Sequence, residues 1–148
     1  MPERETLKRA AKDKAEGKSP STQAGEFVHE EIEHIREGKH GARSAKQAIA
    51  IGLAKARRAG VKLPAPEKGE TSKRTREQAK RDLKKGSKAA KKKPSAKRSR
   101  AALKKLKREG RSAASKTALS RQAHKAAAKR SAASRSRSAK KAARTRKK

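Results

Sequence analysis

The sequence contains no cysteine, tryptophan or tyrosine, and Phe27 is its single phenylalanine. Without cysteine the chain can form no disulfide, thiol nucleophile or thiolate zinc site. Base-specific recognition of single strands depends on stacking against aromatic side chains, and the one aromatic ring here is needed for a core. Sequence-specific readout of a nucleic acid is therefore not expected.

Large apolar residues are also scarce, because only 15 of the 148 residues are Val, Ile, Leu, Met or Phe. Ordering a residue costs about 1–2 kcal/mol of conformational entropy, which buried apolar surface must offset at ~25 cal/mol per Å². A chain so poor in such residues, with a net charge of +33, is typical of disordered proteins. We expect a mostly α fold class with extensive disorder and at most one small domain.

No apolar run approaches the ~18 residues of a membrane span. The first residues lack the apolar segment of a signal peptide. We therefore expect a soluble intracellular protein that does not bind membranes.

Nine of the 15 large apolar residues lie between residues 21 and 66. A first helix is predicted at about Gln23–Glu37 with Ser21 or Thr22 as its N-cap, because Val28, Ile32 and Ile35 fall on one face. The opposite face is acidic and is expected to face solvent or to pair transiently with basic sequence. It comprises Glu26, Glu30, Glu31, Glu33 and Glu37.

A second helix is predicted to begin at Ser44, which opens a Ser-x-x-Gln capping box with Gln47. Its apolar face contains three small residues, Ala48, Gly52 and Ala56, which permit close approach of another helix. We predict a helical hairpin at about residues 21–63, as a monomer or homodimer, or two helices that form only on association. The predicted hairpin core comprises Phe27, Val28, Ile32, Ile35, Ile49, Leu53 and Ala56.

The remaining sequence divides by composition. Residues 1–20 form an N-terminal segment capable of a short helix that ends at Gly17, with Pro20 blocking its continuation. Residues 21–66 are the hairpin module, and residues 67–86 are a polar linker with helical potential and a second capping box at Thr75–Gln78. Residues 87–148 are predicted to be a disordered tail rich in Lys, Arg, Ala and Ser, with nascent helix such as Ser95–Glu109.

The positive charge is concentrated in the second half of the chain, where residues 67–148 contain 33 Lys and Arg against 5 acidic residues. Such an asymmetric basic segment favours a polyanionic partner. Lysine and arginine bind phosphates and release counterions, which requires no particular base sequence. The predicted phosphate contacts are Lys88, Lys91, Lys92, Lys93, Lys97, Arg98, Arg100, Lys104, Lys105, Lys107, Arg108, Lys125, Lys129, Arg130, Arg135, Arg137, Lys140, Lys141, Arg144 and Arg146.

The type of nucleic acid is open at this point. Duplex DNA is favoured because lysine and alanine dominate over Arg-Gly repeats, but an RNA- or ribosome-associated protein has the same charge pattern. A third alternative is a protein-interaction module with a tail that only localises it. A helix-turn-helix whose second helix ends in Lys55, Arg57, Arg58 and Lys62 is less favoured, because the link between the helices is long for that motif.

No arrangement of nucleophile, base and acid is recognisable, and no glycine-rich phosphate loop or paired-carboxylate site is present. His29, His34 and His40 lie near several glutamates, but the spacing of the first two is i, i+5 and not the i, i+4 of a metalloprotease helix. They are interpreted as surface side chains. We therefore expect no enzymatic activity, no cofactor and no metal.

The run SPSTQAGEFVHEEIEHIREGKHGARSAKQAIAIGLAKARRAGVKLPAP, Ser19–Pro66, resembles an uncharacterised family of small basic bacterial proteins, as does the opening PERETLK. This resemblance implies a bacterial origin and no established activity. The Lys/Ala-rich tail is similar in composition to the tails of linker histones and bacterial histone-like proteins. Together they lead us to expect a histone-like, nucleoid-associated protein of the cytoplasm that neutralises phosphates and bridges duplexes.

Overall fold

The structure is a computed structural model that describes residues 2–87 and 95–146. Within these ranges the fold consists of α-helices and one short 3-10 turn, and no strand is found. The elements are α1 (Arg4–Ala15), α2 (Pro20–Arg36), α3 (Ala45–Ala59), α4 (Lys73–Gly86), α5 (Ala96–Lys107), the 3-10 turn Ser112–Ala114, α6 (Lys116–Ala128) and α7 (Ala132–Arg146). The prediction of a mostly α chain is confirmed.

The prediction of extensive disorder with a nascent-helical tail is wrong. Helices α5, α6 and α7 occupy most of residues 95–146. The error came from counting only large apolar residues. Alanine has the highest helix propensity, Ser115 caps α6 by accepting a hydrogen bond from the Ala118 amide, and the 3-10 turn buries Ala113 and Ala114 almost completely. Small residues and backbone contacts thus provide order that a count of leucines misses.

Helix α2 begins three residues earlier than its predicted start at Gln23. The N-cap is Ser19, whose side chain accepts a hydrogen bond from the Thr22 amide, and Pro20 is the first helical residue. Proline suits that position, because its missing N–H has no partner in a first turn and its φ is already helical. Pro20 therefore opens α2 as well as separating it from α1, where Gly17 takes the left-handed φ of 71°.

Helices α2 and α3 pack against each other closely at Gly52. A Cβ built on Gly52 would lie 2.6 Å from the Val28 Cα atom, a distance at which backbone would have to move. The predicted close approach through small residues is confirmed. Ser44 caps α3 by accepting from the Gln47 amide, whereas the Gln47 side chain accepts from the Arg43 amide and not from Ser44. Only one half of the predicted capping box is therefore formed.

The apolar core consists of two clusters, one near each end of the α2–α3 pair. The first joins α1 to the pair and comprises Ala10, Ala24, Phe27, Ala56 and Val61, with Leu53, Ala59 and Leu63 partly buried against it. The second joins the tail to the pair and comprises Ile35, Ala42, Ala48, Ala113 and Ala114, with Ile32 against it. Of the other predicted core residues, Val28 and Ile49 are half-buried.

Helix α4 packs on the last turns of α3. Its N-cap is Ser72, which accepts from the Thr75 amide, so the capping box predicted to open at Thr75 lies inside the helix instead. Ala79 and Asp82 are buried, and a Cβ on Gly86 would lie 2.0 Å from the carbonyl oxygen of Arg57. Residues 73–86 of the segment predicted as a polar linker with helical potential thus form a helix that packs against α3.

The acidic face of α2 does not simply face solvent. Glu30 is 4% exposed and Glu31 is fully buried, because α1 and Lys55 of α3 cover this side of the helix. Glu30 accepts a hydrogen bond of 3.1 Å from the Glu3 amide, and the Lys55 ammonium lies 3.3 Å from its carboxylate. Burial raises the pKa of Glu30, but the hydrogen bonds from Thr6 and Glu3 and the Lys55 charge outweigh it, so the pKa is lowered.

Candidate functional site

The main chemical feature of the surface is the positive charge of α5, α6 and α7. Residues 95–146 contain 19 Lys and Arg and a single acid, Glu109. Every one of these 19 basic residues is exposed. Sixteen belong to the predicted phosphate contacts, and Arg111, Lys116 and Arg121 join them. The predicted contacts Lys88, Lys91, Lys92 and Lys93 lie outside the described residues.

The basic side chains of the two halves of the chain differ in their partners. Residues 3–82 carry many ion pairs, such as Arg9 with Glu26 at 2.6 Å and Lys18 with Asp13 at 2.8 Å. Leaving Lys141 aside, no ion pair joins a cation of α5–α7 to an acidic side chain in the part of the chain described here. Within the described residues, and with Lys141 again left aside, acidic side chains therefore do not neutralise the charge of these helices.

A shallow groove between the start of α3 and α6 brings cations of both halves together. It is lined by Arg43 and Lys46 on one side and by Arg121 and Lys125 on the other. The hydroxyl side chains of Ser112, Ser115 and Thr117 also line it. Of the four cations, sequence reasoning had selected only Lys125, because no pattern in the sequence shows that Arg43 and Lys46 lie beside the tail.

The groove exists because the tail is anchored to the loop between α2 and α3. The Gly41 amide donates to the Leu106 carbonyl at 2.9 Å, and the Ala42 amide donates to the Gly110 carbonyl at 3.1 Å. From the other side, the Arg36 guanidinium donates to the Ala114 carbonyl at 3.1 Å. We call the contact of residues 106–114 with residues 36–42 the clip. It places α6 beside α3.

The cations at the end of α3 are mostly engaged inside the protein. Lys55 contacts the buried carboxylates of α2. The Arg57 guanidinium donates to the Leu63 and Pro64 carbonyls, and burial lowers its pKa despite the nearby Asp82 charge. Arg58 lies 3.5 Å from Asp82. The structure therefore weighs against a helix-turn-helix that reads DNA with these residues.

A second feature is a group of side chains at the end of α2 that could hold a metal ion. Glu31, His34 and His40 each place a donor atom within 4.8 Å of the others. Glu31 and His34 lie three residues apart on α2, and His40 comes from the following loop. Sequence spacing along one helix could not indicate this group, because His40 lies outside α2. The loop that brings His40 back to α2 is held by the clip, which involves residues distant in sequence.

Comparison with known proteins gives one family match, over part of the chain, and no activity. Residues 14–68 match the model of a family of unknown function, DUF6496, which covers less than half of the chain. The prediction of an uncharacterised family is confirmed for this region. No curated protein and no solved structure matches the chain significantly. Among the described helices, none combines the length and apolarity needed to cross a membrane.

Proposed function

We propose that this protein binds nucleic acid without sequence specificity, through the exposed cations of α5, α6 and α7. The observation that supports this most directly is the charge of residues 95–146, where 19 exposed basic residues face one acid. Exposed cations bind phosphates favourably because each contact releases condensed counterions. A bacterial, nucleoid-associated role in the cytoplasm belongs to the same proposal.

Helical structure affects how such a surface binds. A helix carries its cations on a rigid rod at a rise of about 1.5 Å per residue, so α7 presents its basic side chains over about 22 Å. The groove between α3 and α6 adds Arg43 and Lys46 to this surface. Binding of backbone phosphates positions the protein on a duplex but does not select a base sequence. Bridging of two duplexes by different helices is part of this proposal.

The experiment compares two variants with the same charge change. In the α7 variant, Arg135, Arg137, Lys140 and Arg144 are replaced by glutamine. In the α1 variant, Arg4, Lys8, Lys12 and Lys14 are replaced, so the net charge falls equally. Affinity for a duplex of random sequence is measured by fluorescence anisotropy over a range of salt concentrations.

The α7 variant is expected to reduce the log–log salt slope by up to about 3.6, because each lost phosphate contact contributes about 0.9. The α1 variant should change the slope by less than about 1, because α1 lies outside the proposed binding surface. Equal losses in the two variants would show that total charge alone matters and would contradict the proposed surface.

Duplex DNA is proposed as the preferred ligand, with structured RNA as the alternative. Competition between a duplex and a folded RNA of equal phosphate number, at one fixed salt concentration, decides between them. A preference for RNA above about tenfold would move the protein to the RNA-associated class. A dimer or a protein partner bound through α2 and α3 stays a prediction.

A further inference from the structure

The carboxylate of Glu31 is buried without a hydrogen bond. Both of its oxygens lack a hydrogen-bond partner among the described residues, although the residue is fully buried. The Lys55 ammonium lies 2.6 Å from Oε2, close enough to form an ion pair but without hydrogen-bond geometry. A buried carboxylate in this state carries a substantial desolvation cost, so its remaining oxygen favours an additional cation.

His40 directs a ring nitrogen at that remaining oxygen. Its Nδ1 atom lies 3.2 Å from the Gly41 carbonyl oxygen, which can only accept, so Nδ1 carries the hydrogen. In the neutral ring this leaves the lone pair on Nε2, which lies 3.3 Å from Glu31 Oε1. Two acceptors then face each other in a buried position. A histidine whose other nitrogen donates to a backbone carbonyl is the arrangement usually found in metal ligands.

His34 completes the group from the same helix face as Glu31. Residues three apart on a helix are surface neighbours, and the His34 side chain is only 13% exposed. The rings of His34 and His40 have their centroids 6.2 Å apart and stand edge to face. His34 Nε2 lies 2.8 Å from Glu3 Oε1, which supplies a carboxylate to orient the ring.

We propose that Glu31, His34 and His40 form a binding site for a divalent transition-metal ion, with Zn²⁺ as the best-fitting ion. Two imidazoles and one carboxylate are the three-ligand set that holds zinc with a fourth position open. Mg²⁺ and Ca²⁺ fit less well because they take oxygen ligands. The donor atoms, now within 4.8 Å of one another, need to close to about 3.3–3.5 Å for tetrahedral ligation.

Such an ion would tie the loop after α2 back to the helix. His40 is adjacent to Gly41, whose amide bonds to the Leu106 carbonyl in the clip. Metal binding would therefore stabilise the segment on which the tail docks. Lys55 keeps its contact with Glu31 Oε2, so Oε1 is the ligand atom.

The test uses the full-length, untagged protein after nuclease treatment and dialysis against EDTA. Zn²⁺ binding is measured by calorimetry, and Co²⁺ is used as a spectroscopic probe because tetrahedral Co²⁺ has strong visible absorption bands. His34→Ala and His40→Ala are each expected to weaken binding by more than about tenfold. His29→Ala is the matched control, because His29 lies on the same helix, is exposed and is outside the group.

Thermal unfolding of the wild-type protein tests metal binding without relying on variants that must fold correctly. Zn²⁺ is expected to raise the unfolding temperature of the wild-type protein, while Mg²⁺ at the same concentration does not. The proposal is overturned if the wild type shows no saturable Zn²⁺ binding, if Mg²⁺ stabilises equally, or if His29→Ala weakens binding as much as His40→Ala.

Discussion

Replacement of Gly41 by alanine is expected to detach the tail from the α2–α3 pair. A Cβ at this position would lie 1.9 Å from the Glu109 carbonyl oxygen and 2.7 Å from the Gly110 carbonyl oxygen. Both obstacles are backbone atoms, so no side-chain rotation relieves the clash. The variant must open the clip and lose the two hydrogen bonds from Gly41 and Ala42.

The size of this effect follows from the interactions that opening the clip would break. Two backbone hydrogen bonds contribute about 1 kcal/mol each, and partial exposure of Ala113 and Ala114 adds up to about 1 kcal/mol. The opening free energy of the clip should therefore fall by about 2–3 kcal/mol. Since 1.4 kcal/mol corresponds to a factor of ten, amide exchange of residue 42 should accelerate by about 30- to 150-fold.

The measurement is amide hydrogen exchange followed by mass spectrometry, with Gly110→Ala as the control. Gly110 belongs to the same clip, but the nearest atom to a Cβ there is the Ser112 hydroxyl oxygen at 4.0 Å. This control should leave protection of residues 41–42 and 106–115 unchanged. Unaltered protection in Gly41→Ala would refute the docking of the tail on the loop after α2, and so would equal deprotection in both variants.

Two further predictions concern the α2–α3 pair. Gly52→Ala should lower the free energy of unfolding by about 1–3 kcal/mol, because its Cβ would lie 2.6 Å from the Val28 Cα atom. Gly25→Ala, whose Cβ would meet nothing within 4 Å, should raise the free energy of unfolding by about 0.8–1 kcal/mol. Urea unfolding that ranks the two variants the other way would contradict the packing of α2 on α3. Glu30 has a lowered pKa, so its carboxylate contributes stability above the unfolded pKa of about 4.3, and this is lost as the pH falls through the folded value. Glu30→Gln should therefore lower the free energy of unfolding by about 1–3 kcal/mol at pH 7 and by much less at pH 3. The control, Glu5→Gln on the exposed face of α1, should have little effect at either pH. A loss of stability in Glu30→Gln that persists at pH 3 would reject the electrostatic explanation.

Local sequence signals located most of the helices because those signals act within one turn. The serine at position 44 and the glycines at 17, 38 and 60 mark helix ends through capping and left-handed φ values. The same signals misplaced the starts of α2 and α4, where Ser19 and Ser72 compete with later hydroxyl residues for the capping position. Neighbouring serines and threonines are nearly equivalent in sequence, and tertiary contacts select between them.

Burial was harder to predict because it depends on partners distant in sequence. Leu7, the one large apolar residue of α1, is 42% exposed, while Thr6 and Asp13 are buried. Helix α1 presents Thr6 to Glu30, so a polar contact decides its rotation. No periodicity of apolar residues carries that information, and the same holds for the burial of Glu31 beside Lys55.

The candidate sites divide in the same way. Positive charge along α5–α7 is a property of composition, and the sequence alone indicates it. The group of Glu31, His34 and His40 depends on a loop held by a segment some 70 residues further along the chain. Its members form no distinctive sequence pattern, because only the folded loop brings His40 to the helix.

The clip also means that the residues matched by the family model do not contain all of the side chains that cover their apolar core. The match covers residues 14–68, but Ile35 and Ala48 are covered by Ala113 and Ala114, and Phe27 packs with Ala10. Two segments outside the matched residues, one before and one after them, thus cover the apolar core of the α2–α3 pair. Relatives that carry a different second half need another pair of small side chains at this spot, or must leave an apolar face open to water.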